Sequence, residues 1–320
     1  MDEMTVFFVT DLHGSELCYR KFLNSWKYYH VNALILGGDV TGKMVVPVIE
    51  RNGSYQARIY GTVYEAHNSE ELDALKRRIR DMSGYPYVTT EEEDAKTKGD
   101  PQKVEQLFQR LSMEAFEGWL RLADERLKGT GIKMYVTGGN DDPLEMSEIL
   151  RKYESDVVIP SEERVLTLVS EHEMISLGYS NLTPWHLPRD ITEEELAQKI
   201  EDMACKVRDM KKAIFNLHVP PYDTPPIDYA PELDETLRPK LTPGATFKMI
   251  PVGSVAVRNS IKKFQPLLGL HGHIHESRGA VFIDKTLCIN PGSEYGEGVL
   301  RGVTVRLSGT KKPYYTFTSG

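Results

Sequence analysis

The fold is indicated first by residues 5–14, which read TVFFVTDLHG. Residues 5–10 are apolar, β-branched or aromatic, as is typical of a buried strand, and a polar Asp-x-His pair follows directly. Residues 15–29 then predict a helix with Ser15 as its cap. Residues 33–36 predict a second strand, which ends in Gly37-Gly38-Asp39. A strand, a helix and a strand in this order begin a parallel α/β unit.

The same pattern recurs further along the chain. Residues 133–137 predict a strand that ends in Gly138-Gly139-Asn140-Asp141-Asp142-Pro143, and a helix follows to about Lys152. Residues 213–217 predict another strand, which ends at His218. Open α/β sheets bind ligands at the carboxyl ends of their strands, so these polar side chains indicate a site there.

Residues 43–130 interrupt this pattern and are predicted to be an insertion made of a β-hairpin and helices. An Asn-Gly turn predicts the hairpin. The remaining features are hairpin strands at 45–50 and 55–60, helices at 70–82 and 101–128, and a polar, mobile segment at 91–100. The apolar spacing of helix 101–128 favours packing against the body's sheet, with a partner-binding face as the alternative.

The second half is richer in strands and completes a single α/β domain over residues 1–320. Its proline-rich stretch, residues 219–243, is a candidate active-site loop. The predicted elements are strands at 165–169, 174–177, 280–283, 286–289, 302–307 and 314–318, and helices at 192–210 and 252–264.

Composition excludes several classes of protein. The 320 residues are 40% hydrophobic and 27% charged, as in globular proteins and unlike disordered or fibrous chains. No stretch has the ~20 apolar residues of a membrane helix. The acidic start followed by a short apolar run predicts a cytoplasmic protein rather than a signal peptide. Three widely spaced cysteines fit a reducing compartment.

Ligand-type side chains are concentrated at the predicted strand ends. They comprise Asp11, His13, Asp39, Asn140, His218, His273 and His275. Each alone could be a cap or turn residue. Together, two aspartates, one asparagine and four histidines suit two borderline divalent ions that share a bridging carboxylate.

The order of these motifs resembles that of the calcineurin-like metallophosphoesterases, in particular their phosphodiesterase-like branch. The matching segments are Asp11-Leu12-His13, Gly38-Asp39, Gly139-Asn140-Asp141-Asp142, His218, Gly272-His273-Ile274-His275 and Asn290-Pro291-Gly292-Ser293. The resemblance spans residues 5–293. The resemblance implies two packed mixed β-sheets flanked by helices, a four-layer sandwich.

The resemblance also implies a dinuclear metal centre. One ion would be held by Asp11, His13, Asp39 and His275. The other would be held by Asp39, Asn140, His218 and His273, so that Asp39 bridges the two. Mn²⁺ is the favoured metal, and Fe or Zn²⁺ also suit these ligands. The implied reaction is phosphodiester hydrolysis by a metal-bridging hydroxide, with Asp39, Asn140 and Asp141 as catalytic residues.

One position departs from the family pattern. The family usually has a histidine after the asparagine, placed to protonate the leaving oxygen, whereas this chain has Asp141. An ionised carboxylate repels phosphate, and it donates a proton only if desolvation raises its pKa. The alternative is that Asp141 caps the helix beginning at Pro143. The change favours diesters over monoesters as substrates.

Further residues are candidates with open alternatives. Asp142 has the same ambiguity as Asp141. His271 either contacts substrate or is a packed or solvated histidine without a role in the site. Tyr222 and Arg258 are candidate substrate contacts, and Gly292-Ser293 could form a turn that offers backbone donors near the site.

The sequence therefore predicts a metal-dependent phosphoesterase that acts on a small phosphoester or nucleotide. The alternative is a non-catalytic metal-binding scaffold of the same fold that captures a protein partner through residues 101–128. Nucleic acid is not favoured as a partner because the net charge is −8. No membrane association and no particular oligomeric state are predicted.

Overall fold

The computed structural model describes residues 3–168 and 171–320. Its strands are β1 (Met4–Val9), β2 (Ala33–Gly37), β3 (Met44–Arg51), β4 (Ser54–Ile59), β5 (Thr62–Ala66), β6 (Gly84–Thr89), β7 (Lys133–Thr137), β8 (Val158–Pro160), β9 (Val165–Thr167), β10 (Glu173–Leu177), β11 (Ser180–Asn181), β12 (Asp190–Ile191), β13 (Ile214–Leu217), β14 (Tyr229–Pro231), β15 (Met249–Pro251), β16 (Leu268–Leu270), β17 (Gly279–Ile283), β18 (Thr286–Asn290), β19 (Arg301–Leu307) and β20 (Tyr314–Ser319). Its helices are α1 (Glu16–Tyr29), α2 (Ser69–Asp81), α3 (Glu91–Lys98), α4 (Pro101–Leu127), α5 (Met146–Lys152), α6 (Glu193–Ala204) and α7 (Val255–Phe264).

Two six-stranded mixed sheets form the centre of the molecule. The first has the order β20-β19-β1-β2-β7-β8, in which β1, β2, β7 and β8 are parallel. The second has the order β17-β18-β16-β13-β10-β9, in which β18, β16, β13 and β10 are parallel. In each sheet the parallel strands point their carboxyl ends toward one edge, where the predicted ligands follow.

The inner faces of the two sheets pack against each other. Val6, Phe8 and Ile35 of the first sheet share one buried apolar cluster with Ile214 and Leu268 of the second. Alternate residues of the same strands point outward, since side chains alternate along a strand. Helices α1, α4 and α5 cover the outer face of the first sheet, and α6 and α7 cover that of the second. The predicted four-layer sandwich is confirmed.

Helix α4 packs on the body through its second half. The rings of Trp119 and Tyr19 stack at a centroid distance of 4.2 Å, and the Tyr19 hydroxyl donates to the Trp119 carbonyl at 2.7 Å. Met113, Phe116 and Leu120 are also buried there. The predicted packing of this helix is confirmed, and its first half is more exposed, as at Val104.

The inserted segment forms a sheet of its own. The predicted hairpin is present, and Asn52 and Gly53 both adopt the positive φ that its turn requires. Strands β5 and β6, which the sequence analysis does not predict, extend it to the order β5-β4-β3-β6. Val48, Leu75 and Ile79 bury a separate apolar core between this sheet and α2.

Three predicted local structures differ from those observed. Residues 91–98 form helix α3, because Thr90 accepts from the Glu93 amide and acidic residues fill the first turn. The helix predicted to reach residue 210 ends at Ala204, since Asp209 caps a separate 3₁₀ turn at Met210–Lys212.

The proline-rich stretch is also more regular than expected. Strand β14 lies within that stretch and pairs with β15, which follows it in the chain. Both strands of a two-stranded sheet are edge strands, so a proline whose nitrogen faces away from the partner strand costs no hydrogen bond between the strands. The strand predicted at 165–169 is observed as β9 over Val165–Thr167, and its last predicted residue, Val169, lies outside the described residues. In the described parts of the chain no helix is both long enough and apolar enough to cross a bilayer.

Candidate metal centre

The predicted ligands meet at the shared carboxyl edge of the two sheets. Asp11 and His13 follow β1, Asp39 follows β2, and Asn140 follows β7 in the first sheet. The histidines follow β13 and β16 in the second sheet. Four of these residues have a positive φ, namely Asp11 (56°), His13 (41°), Asp39 (48°) and His273 (67°). Such conformations are uncommon outside glycine and cluster at functional sites.

Asp11, His13, Asp39 and His275 form the first group, whose ligand atoms all lie within 4.8 Å of one another. His13 Nε2 lies 3.0 Å from His275 Nε2 and 3.5 Å from Asp39 Oδ2. His275 Nε2 lies 3.4 Å from Asp11 Oδ1. Carboxylate oxygens and imidazole nitrogens in this arrangement could hold a divalent ion.

A second group lies on the other side of Asp39. His218 Nε2 lies 3.4 Å from Asp39 Oδ1, and His273 Nδ1 lies 2.9 Å from Asn140 Oδ1. The rings of His218 and His273 are 5.5 Å apart between centroids. The two oxygens of Asp39 therefore face different histidines: Oδ2 faces the first group and Oδ1 faces the second.

Charge is shared across this buried cluster. Burial opposes the ionised form of Asp11, but the hydrogen bond and charge of His275 outweigh it and lower the Asp11 pKa to about 2. Burial likewise opposes ionisation of Asp39, and the charge of His218 holds the Asp39 pKa well below its ordinary value. Burial disfavours a charged His218, yet Asp39 raises its pKa to about 9. Both carboxylates are thus available as anionic ligands at neutral pH.

Two of the other histidines are held neutral. Burial lowers the pKa of His13 to about 3 and that of His273 to about 4. Neutral imidazole is the form that binds a metal. An unpartnered nitrogen also fits a metal ligand. His218 Nε2 is fully buried and has no hydrogen-bond partner among the described residues. The short distance between His13 Nε2 and His275 Nε2 suits two nitrogens that share a cation, so the donor set fits the expected ions.

Backbone and side-chain contacts orient these ligands. The Gly37 carbonyl accepts from His218 Nδ1 at 3.0 Å, which turns Nε2 toward Asp39. Asn140 Nδ2 donates to Asp190 Oδ1 at 3.0 Å, leaving the Asn140 carbonyl oxygen on the side of the cluster. The Ser293 hydroxyl donates to the Asp11 carbonyl at 2.7 Å. The segment that ends at Ser293 is therefore bonded to the backbone of Asp11.

Asp142 is a structural residue. Its carboxylate is fully buried and accepts from the amides of Val40, Thr41 and Gly139 at 2.8–3.1 Å, and from the Thr41 hydroxyl at 2.7 Å. It therefore holds the loop after β2 against the loop after β7. This contact fixes Asp39 relative to Asn140.

Asp141 lies beside the first group. Its amide donates to Asp39 Oδ1 at 3.0 Å, and its Oδ2 lies 3.6 Å from His13 Nδ1 and 2.6 Å from the Lys43 ammonium. The alternative that Asp141 caps the next helix is wrong. Helix α5 begins at Met146, and Asp141 instead forms an ion pair with Lys43.

The remaining candidates lie outside the cluster. His271 is fully buried, and its Nδ1 donates to the Leu217 carbonyl at 2.8 Å, so it packs in the core. Arg258 pairs with Asp223 at 3.3 Å near the surface, and Tyr222 is half-buried with its amide bonded to the Ser254 carbonyl.

Gly292-Ser293 does form a turn near the site, but its amides are already used. The Gly292 amide donates to Asn290 Oδ1 at 2.8 Å, and the Ser293 amide donates to the His275 carbonyl at 3.1 Å. The expectation that this turn offers free backbone donors is therefore wrong.

Sequence reasoning missed three residues beside the site. Lys43 forms the ion pair with Asp141, Ser180 Oγ lies 3.4 Å from His273 Nε2, and the ring of Tyr295 packs 4.7 Å from that of His13 between centroids. Lys43 comes only four positions after Asp39, but a single lysine before a strand carries no distinctive signal. Ser180 and Tyr295 reach the site only through tertiary packing.

Comparisons with known proteins agree with the fold. No family model matches the sequence. The uncharacterized protein MJ1162 of Methanocaldococcus jannaschii is 29% identical over 155 residues, which are 48% of this chain and 61% of that protein. The aligned part therefore covers less than two thirds of that relative.

Two solved structures superpose on nearly the whole chain. TT1561 of Thermus thermophilus aligns with a TM-score of 0.56 and 11% identity, covering 100% of this chain and 99% of that one. Another crystal structure aligns with a TM-score of 0.60 and 15% identity, covering 99% of both chains. The chain therefore shares the fold of these two proteins, in which two packed sheets bring its ligand-type residues to a common carboxyl edge.

Proposed function

We propose that this chain is a dinuclear metal-dependent phosphodiesterase that hydrolyses a small phosphoester or nucleotide in the cytoplasm. The observation that carries the proposal is the position of Asp39. One of its oxygens lies 3.5 Å from a nitrogen of His13, and the other lies 3.4 Å from a nitrogen of His218. A carboxylate between two sets of ligands suits two ions that share it.

The two ion sites would use the residues that the resemblance implies. Asp11, His13 and His275 would complete one site with Asp39, and Asn140, His218 and His273 would complete the other. Two bound divalent ions, with Mn²⁺ favoured and Fe or Zn²⁺ suitable, would lower the pKa of a water molecule and offset negative charge on the phosphoryl oxygens. The chain's own residues hold the ligands rigidly through the buried Asp142 and the Asp190 contact.

Asp141 favours a diester over a monoester in this proposal. Burial and the charge of Asp39 raise the pKa of Asp141, while Lys43 opposes that shift. The ion pair with Lys43 neutralises part of the negative charge that Asp141 would present to the phosphate group of the substrate. A phosphodiester carries one negative charge whereas a monoester carries up to two, so the remaining carboxylate repels a diester less.

A paired assay tests the proposed reaction. Metal-free protein is reconstituted with Mn²⁺ and given bis(p-nitrophenyl) phosphate or p-nitrophenyl phosphate. We expect hydrolysis of the diester, a lower kcat/KM for the monoester, and loss of both activities in His273→Ala. Dominant monoester turnover would contradict the diester preference. Absence of any turnover above the His273→Ala control, across a panel of diesters and nucleotides, would refute the enzyme and favour the scaffold.

A further inference from the structure

A cleft of about 570 Å³ opens beside Asp141, between the first half of helix α4 and the loop after β7. Its wall therefore combines the inserted segment with the loop that carries Asn140. The lining residues that matter here are Lys43, Glu105, Phe108, Leu144, Glu145 and Pro188. Asp141 both lines the cleft and borders the metal centre, since its Oδ2 lies 3.6 Å from His13 Nδ1.

Lys43 places a positive charge where the cleft meets the centre. Its ammonium lies 2.6 Å from Asp141 Oδ2, and 52% of its side chain is exposed. A lysine ammonium has three donors, and the ion pair with Asp141 occupies one of them. The others remain able to donate to an anionic oxygen in the cleft.

Phe108 supplies an apolar wall a short distance away. Its ring packs edge-on against Tyr85 at a centroid distance of 6.1 Å, and the Tyr85 hydroxyl accepts from the Gly42 amide at 2.6 Å. Tyr85 thus lies between Phe108 and the backbone next to Lys43 and contacts both. Phe108 is only half-buried, and Leu144, 54% exposed, adds apolar surface across the cleft. The cleft therefore offers apolar surface to an aromatic group from two of its lining residues.

The lining of the cleft carries more negative than positive charge. Glu105 and Glu145 line it in addition to Asp141, and Lys43 is the single cation among its described lining residues. This balance accommodates one negative charge beside Lys43 and disfavours further phosphates in the cleft. It therefore suits a small ester with a neutral organic group better than a polyanion.

We infer that this cleft is the subsite for the organic group of a phosphoester, in which Lys43 binds a phosphoryl oxygen and Phe108 packs on an aromatic or heteroaromatic ring. The inference rests on the proposed function for the position of the phosphoryl group. It assigns the inserted segment a role in substrate selection, because Lys43 and Phe108 both belong to residues 43–130.

Binding of phosphonates tests this inference without relying on turnover, because their carbon–phosphorus bond is not hydrolysed. The affinities of phenylphosphonate and methylphosphonate for the Mn²⁺-loaded protein are measured by calorimetry. We expect phenylphosphonate to bind about tenfold more tightly. Phe108→Ala should remove this advantage and leave the methylphosphonate affinity unchanged. Lys43→Met should weaken both ligands about tenfold and preserve their ratio.

Matched controls and metal analysis separate this inference from the proposed function. Val104→Ala and Lys103→Met change exposed residues of the same helix outside the cleft and should alter neither affinity. Equal binding of the two phosphonates, or an aryl advantage that survives Phe108→Ala in a folded, metal-replete variant, would overturn the inference. If the aryl advantage depends on Phe108 but no ester is hydrolysed, the subsite stands and the proposed reaction fails.

Discussion

Replacing Asp39 with asparagine is expected to lower kcat for bis(p-nitrophenyl) phosphate by more than about 100-fold. Even residues behind the ligands of a metal site commonly contribute 10–100-fold, and Asp39 is proposed to contact both ions. Asparagine tolerates the positive φ of 48° at this position and keeps Oδ1 as an acceptor for the Asp141 amide. The fold should therefore survive while one anionic oxygen is lost. The measurement is steady-state hydrolysis with saturating Mn²⁺.

A surface variant provides the control for this change. Asp73→Asn makes the same chemical substitution at an exposed position of helix α2 and should leave kcat unchanged. If Asp39→Asn retained more than a tenth of the wild-type kcat with its metal content intact, Asp39 could not be the carboxylate on which the reaction depends.

Replacing Arg189 with methionine is expected to lower the free energy of unfolding by about 3–5 kcal/mol, the usual cost of removing one partner of a buried pair. Arg189 is 1% exposed, and Nη1 lies 3.6 Å from Glu162 Oε2. Its Nε donates to the Asp142 carbonyl at 3.1 Å, and Nη2 donates to the Ser147 hydroxyl at 2.9 Å. Methionine would fill the space but leave these acceptors without their donor and the buried Glu162 carboxylate without its cationic partner. Urea unfolding measures the loss.

Two further variants show whether the buried charge causes this loss. Burial raises the pKa of Glu162 and Arg189 opposes that shift, so adding Glu162→Gln to Arg189→Met should recover part of the stability. Arg51→Met removes an exposed ion pair with Glu91 and should change stability by no more than about 0.5 kcal/mol. A loss below about 1 kcal/mol in Arg189→Met would contradict the structural role assigned to this arginine.

The sequence predicts which polar side chains come together where those side chains follow the ends of parallel strands. Short apolar runs followed by glycine and a ligand-type residue occur at Asp39 and Asn140, a similar run leads directly into Asp11, and parallel strands bring such ends to one edge. The left-handed backbone at Asp11 and Asp39 is a consequence of that sharp exit from the strand. The two-sheet architecture followed from the family resemblance and is confirmed.

The local sequence pattern does not predict contacts between side chains that are far apart in the sequence. The contact of Lys43 with Asp141 spans 98 positions, and that of Arg189 with Glu162 depends on two loops packing together. Asp141 illustrates the difficulty: a cap is a sensible expectation for an aspartate before Pro143, yet an ion pair from the inserted segment takes its place. Helix α3 was missed for a related reason, since its stability comes from capping and charge pairs rather than an apolar face.

The number of metal ions that the chain binds tests the central claim most directly. Metal-free protein is dialysed against micromolar Mn²⁺, and bound metal is measured per chain by mass spectrometry for the wild type and for His273→Ala. We expect two ions per wild-type chain and one in the variant, because His273 belongs to only one of the two proposed sites. A single ion in the wild type, or none, would contradict a dinuclear centre at Asp39.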